Sequence, residues 1–389
     1  MADLLLRNAR PWGADTTTDL YIRDGVVAPP DEAPEGVATE DLGGKLLLPG
    51  FVDAHAHVDK TMWGGPWLPH TSGPGLMGKI MGGVERRAEA GIPSADYITA
   101  LLTNMIVSGT THVRSHVDID PYQGLAAVAA VREAVERLDG RITMETVAFP
   151  QTGLLISPGT AELMDQGLAE GVDLVGGIDP AGLENDPVRH LDTVFGLAEK
   201  HGVGVDIHLH DRGDMGIWQY KLILERTRAL GLGGKVTISH GYCLGEAAPA
   251  VQDQIIAQLA ETGVGLATVA PSISLPLVKL REAGVPVGAG NDGVRDLWSP
   301  YGTGDMLERA LFLAQRAGFV RDEEIEIALE AATYGGARLT GRSHGFAPGD
   351  TGDFVAVDTR NAAEAVCVRP VRSLVIKGGR IVAREGELV

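Results

Sequence analysis

His55 and His57 stand two residues apart in the stretch Leu48–Lys60, LPGFVDAHAHVDK. Phe51-Val52 feeds a strand, and a strand's period of two sends both imidazoles out of one face. Pro49-Gly50 gives the chain a sharp entry into that strand. Two such histidines can bind a divalent cation through neutral ring nitrogens, although a lone His-x-His is as readily a structural pair. Taken with His208 and Asp292 they make a set of three nitrogens and one carboxylate. That set suits one divalent metal ion, Zn²⁺ ahead of Fe²⁺, with a position left for water. A bound ion lowers the pKa of its water from about 15.7 to about 7, which makes hydroxide available at neutral pH. His240 could orient or deprotonate the water, and Asp211, one past His210, could carry the proton to a leaving nitrogen.

Each of these residues also has a plainer reading. Asp292, in Gly290-Asn291-Asp292-Gly293, can be a turn residue, and His240 a hydrogen-bonded core histidine. His112 and His116 are expected to support the site by hydrogen bonds rather than to ligate, because four ligands already fill it. Lys60 is expected to contact substrate or a loop. His70, His190, His201 and His344 are read as loop or helix-face residues without a role in the site.

Eight strand candidates position the set: Phe51–His57, His112–Asp118, Ile142–Phe149, Asp173–Ile178, Gly204–His210, Lys235–His240, Val264–Thr268 and Pro286–Asp292. Helical patterns lie between most of them, clearest at Gly124–Arg137, Val188–His201, Trp218–Ala229 and Ala250–Thr262. Eight β–α repeats predict a closed parallel (β/α)8 barrel (TIM barrel), class α/β, and no G-x-G-x-x-G follows the first strand to favour an open dinucleotide-binding sheet. His55, His57, His116, Gln151, His208, His210, His240 and Asp292 all fall at or just past C-terminal strand ends, where barrels of this kind build their sites. Residues 1–49 and 349–389 alternate as short strands between turns, and predict a small β-sandwich domain built from both termini around a barrel of residues 50–348.

The 389 residues and an apolar share of 44% allow both a large core and a second domain. A net charge of −19 argues against nucleic acid as a partner. The start MADLLLRNARPWGAD lacks the pattern of a signal peptide, and no apolar run approaches about 20 residues, so a cytoplasmic protein with no membrane partner is expected. Cys243 and Cys367 sit in no Cys-x-x-Cys and read as ordinary small core residues.

The assembled motifs resemble the amidohydrolase superfamily, in its cytosine-deaminase-like branch. The resemblance runs nearly end to end. It is carried by Pro49-Gly50-Phe51-Val52-Asp53-Ala54-His55-Ala56-His57, by Thr111-His112-Val113-Arg114-Ser115-His116-Val117-Asp118 and by Val147-Ala148-Phe149-Pro150-Gln151. It implies His55, His57, His208 and Asp292 as metal ligands, His240 as the residue assisting water, Gln151 as a hydrogen-bonding group for a substrate ring, and a homo-oligomer.

Within the branch, other motifs are similar to aminohydrolases of s-triazine degradation. They are His57-Val58-Asp59-Lys60, Leu174–Ala181 with Glu184-Asn185, His208-Leu209-His210-Asp211, and Asp292–Trp298 followed by Gly304-Asp305-Met306. Two departures from cytosine deaminases stand out: Asp211 replaces their proton-shuttling glutamate, and Gly293 replaces the acidic residue after the metal-binding aspartate.

The implied chemistry is attack of water on a ring carbon bearing an exocyclic amine, with ammonia or an alkylamine leaving. The substrate would be a small N-heterocycle such as an aminopyrimidine or aminotriazine. His210 or Asp211 would supply the proton, and Trp298 would wall the pocket or pack in the core. A ring-opening hydrolase of cyclic amides is the alternative, against which stands the absence of lysine from the fourth strand, Asp173–Asp179. A non-catalytic metal-stabilised scaffold is the third reading, but a scaffold has no use for His240 beside the ligands.

Overall fold

The computed structural model describes residues 3–71, 73–270, 272 and 274–389. Eight parallel strands form the barrel: β1 Phe51–Ala56, β2 Thr110–Asp118, β3 Thr143–Phe149, β4 Leu174–Ile178, β5 Gly204–Leu209, β6 Val236–His240, β7 Gly265–Val269 and β8 Val287–Gly290. They pair in sequence order, and the ring closes through a parallel bridge between Ala56 and Asp292. All but the first half of β3 and the first residue of β5 is buried, which is why the strands read as apolar runs rather than alternations.

The four helices expected most clearly are present as Ala126–Arg137, Pro187–His201, Gly213–Ala229 and Pro249–Thr262. Each lays an apolar stripe on the sheet; in Pro187–His201 it is His190, Leu191, Val194, Phe195 and Ala198. His190 is therefore buried completely in the core, against Gly177 of β4 and within 3.4 Å of the Glu184 carboxylate.

Strands from both ends of the chain make a second, mixed sheet. Its order is Glu387–Leu388, Arg380–Arg384, Leu374–Lys377, Phe354–Val357, Leu46–Pro49, Leu4–Pro11, Thr18–Arg23 and Val26–Ala28, with Thr39–Asp41 added beside Leu4–Pro11. The antiparallel pairing of Leu46–Pro49 with Phe354–Val357 joins the two termini immediately before the chain enters β1. Leu6, Ile22, Leu47, Phe354 and Ile376 give this sheet a core of its own.

Several local expectations need correction. Strand β1 ends at Ala56, β5 at Leu209 and β8 at Gly290, so His57, His210 and Asp292 lie just beyond their strands rather than on them. Cys243 is buried, but Cys367 is exposed on the short helix Ala362–Val368 and is no core residue. His112 lies near the start of β2, four residues and so about 13 Å upstream of His116. There its Nδ1 meets the Thr143 hydroxyl at 2.8 Å, and Arg342 and Lys377 bear on it electrostatically. His112 thus faces the terminal sheet and does not support the site.

A candidate metal centre at the barrel mouth

Four side chains converge where the first, fifth and eighth strands end. Nε2 of His57 is 3.1 Å from Nε2 of His208 and 3.3 Å from Oδ1 of Asp292, and Nε2 of His55 is 3.7 Å from the same oxygen. Donor atoms sharing one cation at about 2.1 Å stand about 3.0–3.5 Å apart, so the two His57 separations fit a common ion, and His55, His57 and Asp292 together keep their donor atoms within 4.8 Å of one another. The orphaned atoms agree. His55 Nε2, both nitrogens of His116 and His240 Nε2 are buried with no hydrogen-bond partner among the described residues. Burial and then neighbouring positive charge, Lys60 for His57 and the other histidines for His208, hold these two imidazoles well below their usual range. They are neutral, as metal ligation requires.

The backbone has been bent to bring these groups together. Asp292 (φ 61°) and His240 (φ 69°) both occupy the left-handed region, which is uncommon for any residue but glycine, although aspartate and histidine enter it more readily than most. Strain of this kind persists where surrounding structure over-determines it, commonly at functional sites. The Asp292 N–H donates to the His55 carbonyl at 2.8 Å, and the His57 N–H donates to the Asp292 carbonyl at 3.2 Å. Gly290 makes this crossing close, since a Cβ there would run into the His55 carbonyl oxygen and lie 2.6 Å from its Cβ.

Around the set, His240 stacks on His210 with ring centroids 4.3 Å apart, and its Nδ1 lies 3.1 Å from the Tyr242 hydroxyl. Nδ1 of His210 is 2.7 Å from the Asp179 carboxylate. Burial pulls His210 down, but Asp179 outweighs it and raises the pKa. Asp211 is engaged by its neighbours: Oδ2 accepts from Gly182 N and from Gln219 Nε2, each at 2.8 Å. Phe149 stacks on His208 at 4.1 Å.

A second polar group lies beside the cluster. Lys60 Nζ donates to Gln151 Oε1 at 2.5 Å, is 3.1 Å from Asp118, and lies 5.4 Å from the rings of both Phe149 and Trp298. Burial disfavours the Lys60 charge, yet Asp118 and Asp59 overcome this and raise its pKa. Lys60, Asp118, Gln151, Asp296 and Trp298 line one cleft of about 330 Å³. Asp292, Gly293, Asp296, Trp298, Tyr301 and Arg309 line a larger one of about 690 Å³. A Cβ on Gly293 would run into the Asp296 carboxylate, so Asp296 fills the place where a residue-293 side chain would sit.

Sequence reasoning missed Asp179, Asp206, Ser239 and Arg114. Ser239 Oγ lies 2.8 Å from His55 Nδ1 and 2.6 Å from Asp206 Oδ1, and Arg114 Nη1 donates to Asp206 Oδ2 at 3.2 Å. The signal was available in part. Arg114 and Asp206 precede His116 and His208 by two, and a strand's period puts each pair on the same inward face.

The sequence matches the family model described as "Amidohydrolase family" over residues 38–143 and 90–383, and the chain belongs to that family. Particular relatives cover it end to end. It is 31% identical over 404 residues to the N-isopropylammelide isopropyl amidohydrolase of Pseudomonas sp. (strain ADP), covering 100% of this chain and 98% of that protein. The crystal structure of N-isopropylammelide isopropylaminohydrolase from Burkholderia multivorans ATCC 17616 superposes with a TM-score of 0.95 at 46% identity, covering 100% of both chains. That of 5-methylcytosine deaminase from Klebsiella pneumoniae liganded with 5-fluorocytosine gives 0.82 at 26% identity, over 98% of this chain and 97% of that one. The chain is thus an amidohydrolase related to an aminohydrolase of a triazine and to a cytosine deaminase. No helix among the described residues is long and apolar enough to cross a membrane.

Proposed function

We propose that this protein is a metal-dependent aminohydrolase that removes an exocyclic alkylamine or ammonia from an aminotriazine or a related azine. The observation that carries the reading is the placing of the His55, His57, His208 and Asp292 set beside the Lys60–Gln151 pair. Full-length similarity to the Burkholderia N-isopropylammelide isopropylaminohydrolase supports the triazine side of it. His55, His57, His208 and Asp292 would hold one Zn²⁺ or Fe²⁺. When bound, that cation lowers the pKa of a water toward about 7 and so supplies a nucleophile at neutral pH.

The chain's own groups divide the remaining work. Lys60 donates to Gln151 Oε1 and thereby fixes the amide, leaving Gln151 Nε2 as a donor for a ring acceptor such as an oxo group. Phe149 and Trp298 bound the ring's faces. His240 accepts the water's proton at Nε2, the nitrogen that Tyr242 leaves free. His210, held at Nδ1 by Asp179, carries a proton on Nε2 to the ring nitrogen or the departing amine. Asp211 positions the Gly182 turn and Gln219.

Ammonia and amine release should be measured from a panel of aminopyrimidines, aminotriazines and their N-alkyl derivatives. Turnover best on an oxo-substituted N-alkylaminotriazine is expected. Opening of a cyclic amide, with no amine released from any azine, would replace this reading with the ring-opening one.

A further inference from the structure

The barrel interior below His55 holds charged groups that the proposed chemistry does not use. Arg114 of β2 is buried, and four acceptors surround its guanidinium. Nε donates to Glu145 Oε2 at 3.0 Å, and Nη1 to Asp206 Oδ2 at 3.2 Å and Thr237 Oγ1 at 3.0 Å. Nη2 donates to the Leu339 carbonyl at 2.7 Å. Asp206 of β5 is fully buried and keeps one oxygen, Oδ1, for the Ser239 hydroxyl of β6 at 2.6 Å. The other side of Ser239 Oγ faces His55 Nδ1 at 2.8 Å.

The proton positions follow from donor arithmetic. Burial raises the Asp206 carboxyl, but Arg114 donates to its Oδ2 at 3.2 Å and opposes that shift, so the pair is read as guanidinium and carboxylate, and a carboxylate only accepts. The Ser239 proton must therefore point at Asp206, which leaves only a lone pair toward His55. Nδ1 of His55 must then carry a proton to donate, and a neutral ring with Nδ1–H has its lone pair on Nε2. That is the atom without a hydrogen-bond partner among the described residues, on the Asp292 side of the ring. The opposite tautomer would aim an N–H into the ligand set and would leave Ser239 and His55 with two lone pairs facing.

We propose that Arg114, Asp206 and Ser239 form a relay that sets the tautomer of His55 before any metal arrives, so that Nε2 is presented as a ready ligand. These are positioning residues, and they touch neither substrate nor reacting atoms. Metal-bound histidines commonly donate their second N–H straight to a carboxylate or carbonyl. Here a serine is interposed, and the carboxylate is clamped from the far side by a buried arginine. The inference rests on the reading of His55 as a metal ligand.

Two measurements test it. Zn²⁺ affinity of the wild-type and Ser239→Ala proteins, read by competition with a chromophoric chelator, is expected to fall about 10- to 100-fold in the variant. Ser239→Thr, which keeps the hydroxyl, should restore most of it. Equal affinity in wild type and Ser239→Ala overturns the relay, whereas wild-type protein that takes up no Zn²⁺ overturns the metal reading itself. The second measurement needs no altered relay residue. In metal-free, ¹⁵N-histidine-labelled full-length protein, with His55 assigned by its loss from His55→Gln, the proton is expected on Nδ1. Free imidazole side chains favour Nε2–H, so finding that tautomer at His55 overturns the relay even if Ser239→Ala does not fold.

Discussion

Asp292 and His55 meet twice: the Asp292 N–H donates to the His55 carbonyl at 2.8 Å, and the carboxylate Oδ1 stands 3.7 Å from His55 Nε2. The bonds that close the barrel are therefore the bonds that bring together the ends of the candidate metal set. Because the seam between β8 and β1 is also the site, the geometry of one fixes the geometry of the other.

Replacement of a ligand should separate metal loss from fold loss. His208→Ala and Asp292→Asn are expected to lower bound metal well below one per chain and to lower turnover by at least about 10³-fold. Far-UV circular dichroism should stay unchanged. Metal analysis beside the spectrum checks this, and full metal occupancy in either variant would remove that residue from the ligand set.

Gly290→Ala probes the seam itself. The added methyl meets the carbonyl and Cβ of His55, and overpacking of this kind costs about 1–3 kcal/mol. A lower urea midpoint together with weaker Zn²⁺ binding is expected. A loss of stability with unchanged metal affinity would show that the seam and the site are separable.

How much of this was legible in the sequence depends on whether spacing or contact carries the information. Strand order, the eight repeats and the mouth residues were readable, because period and turn chemistry are local. So were His55, His57, His208, His240 and Asp292 as a candidate cluster, since each lies at or just past the C-terminal end of β1, β5, β6 or β8. His112 was misplaced for a physical reason. It shares a strand face with His116, but its depth along that face depends on where β2 begins, which the apolar pattern leaves open. The left-handed backbone at His240 and the interposed Ser239 had no local signature, because they depend on how β6 pairs with β5, whereas Asp292 showed locally only as a turn residue. Cys367 was misread because a cysteine in an apolar stretch, Ala362–Val368, looks internal until the helix shows which side faces water.

The two candidate proton carriers should differ sharply. Asp211 is engaged by Gly182 and Gln219, so Asp211→Asn is expected to keep activity within about 10-fold. His210→Gln, which removes the group stacked on His240, should cost about 10²- to 10⁴-fold in kcat. Steady-state kinetics on both variants decide the matter, and the reverse order would return the shuttle role to Asp211.

Gln151→Ala should act on the substrate and leave the metal alone. A hydrogen bond to a polar ring edge beside a charged lysine is worth about 1.5–3 kcal/mol, so kcat/KM is expected to drop about 10- to 100-fold at full metal occupancy. An unchanged kcat/KM on the best azine substrate would place the ring elsewhere in the cleft.

The two cysteines predict a simple titration. Burial pushes the Cys243 thiol up to about 12, so almost none of it is the reactive thiolate at pH 8, whereas Cys367 lies exposed. One thiol per chain should react quickly with a disulfide reagent in the native protein, and two after denaturation. Two fast thiols in the native state would contradict the packing of Cys243 beneath Gly216.

The most direct test of the central claim is reconstitution. Protein stripped with a chelator is titrated with Zn²⁺ or Fe²⁺ while amine release from an N-alkylaminotriazine is followed. Activity should vanish on stripping and return linearly to a plateau at one metal per chain. Undiminished amine release from metal-free protein, or a plateau reached only at two metals per chain, would contradict the single-metal aminohydrolase proposed here.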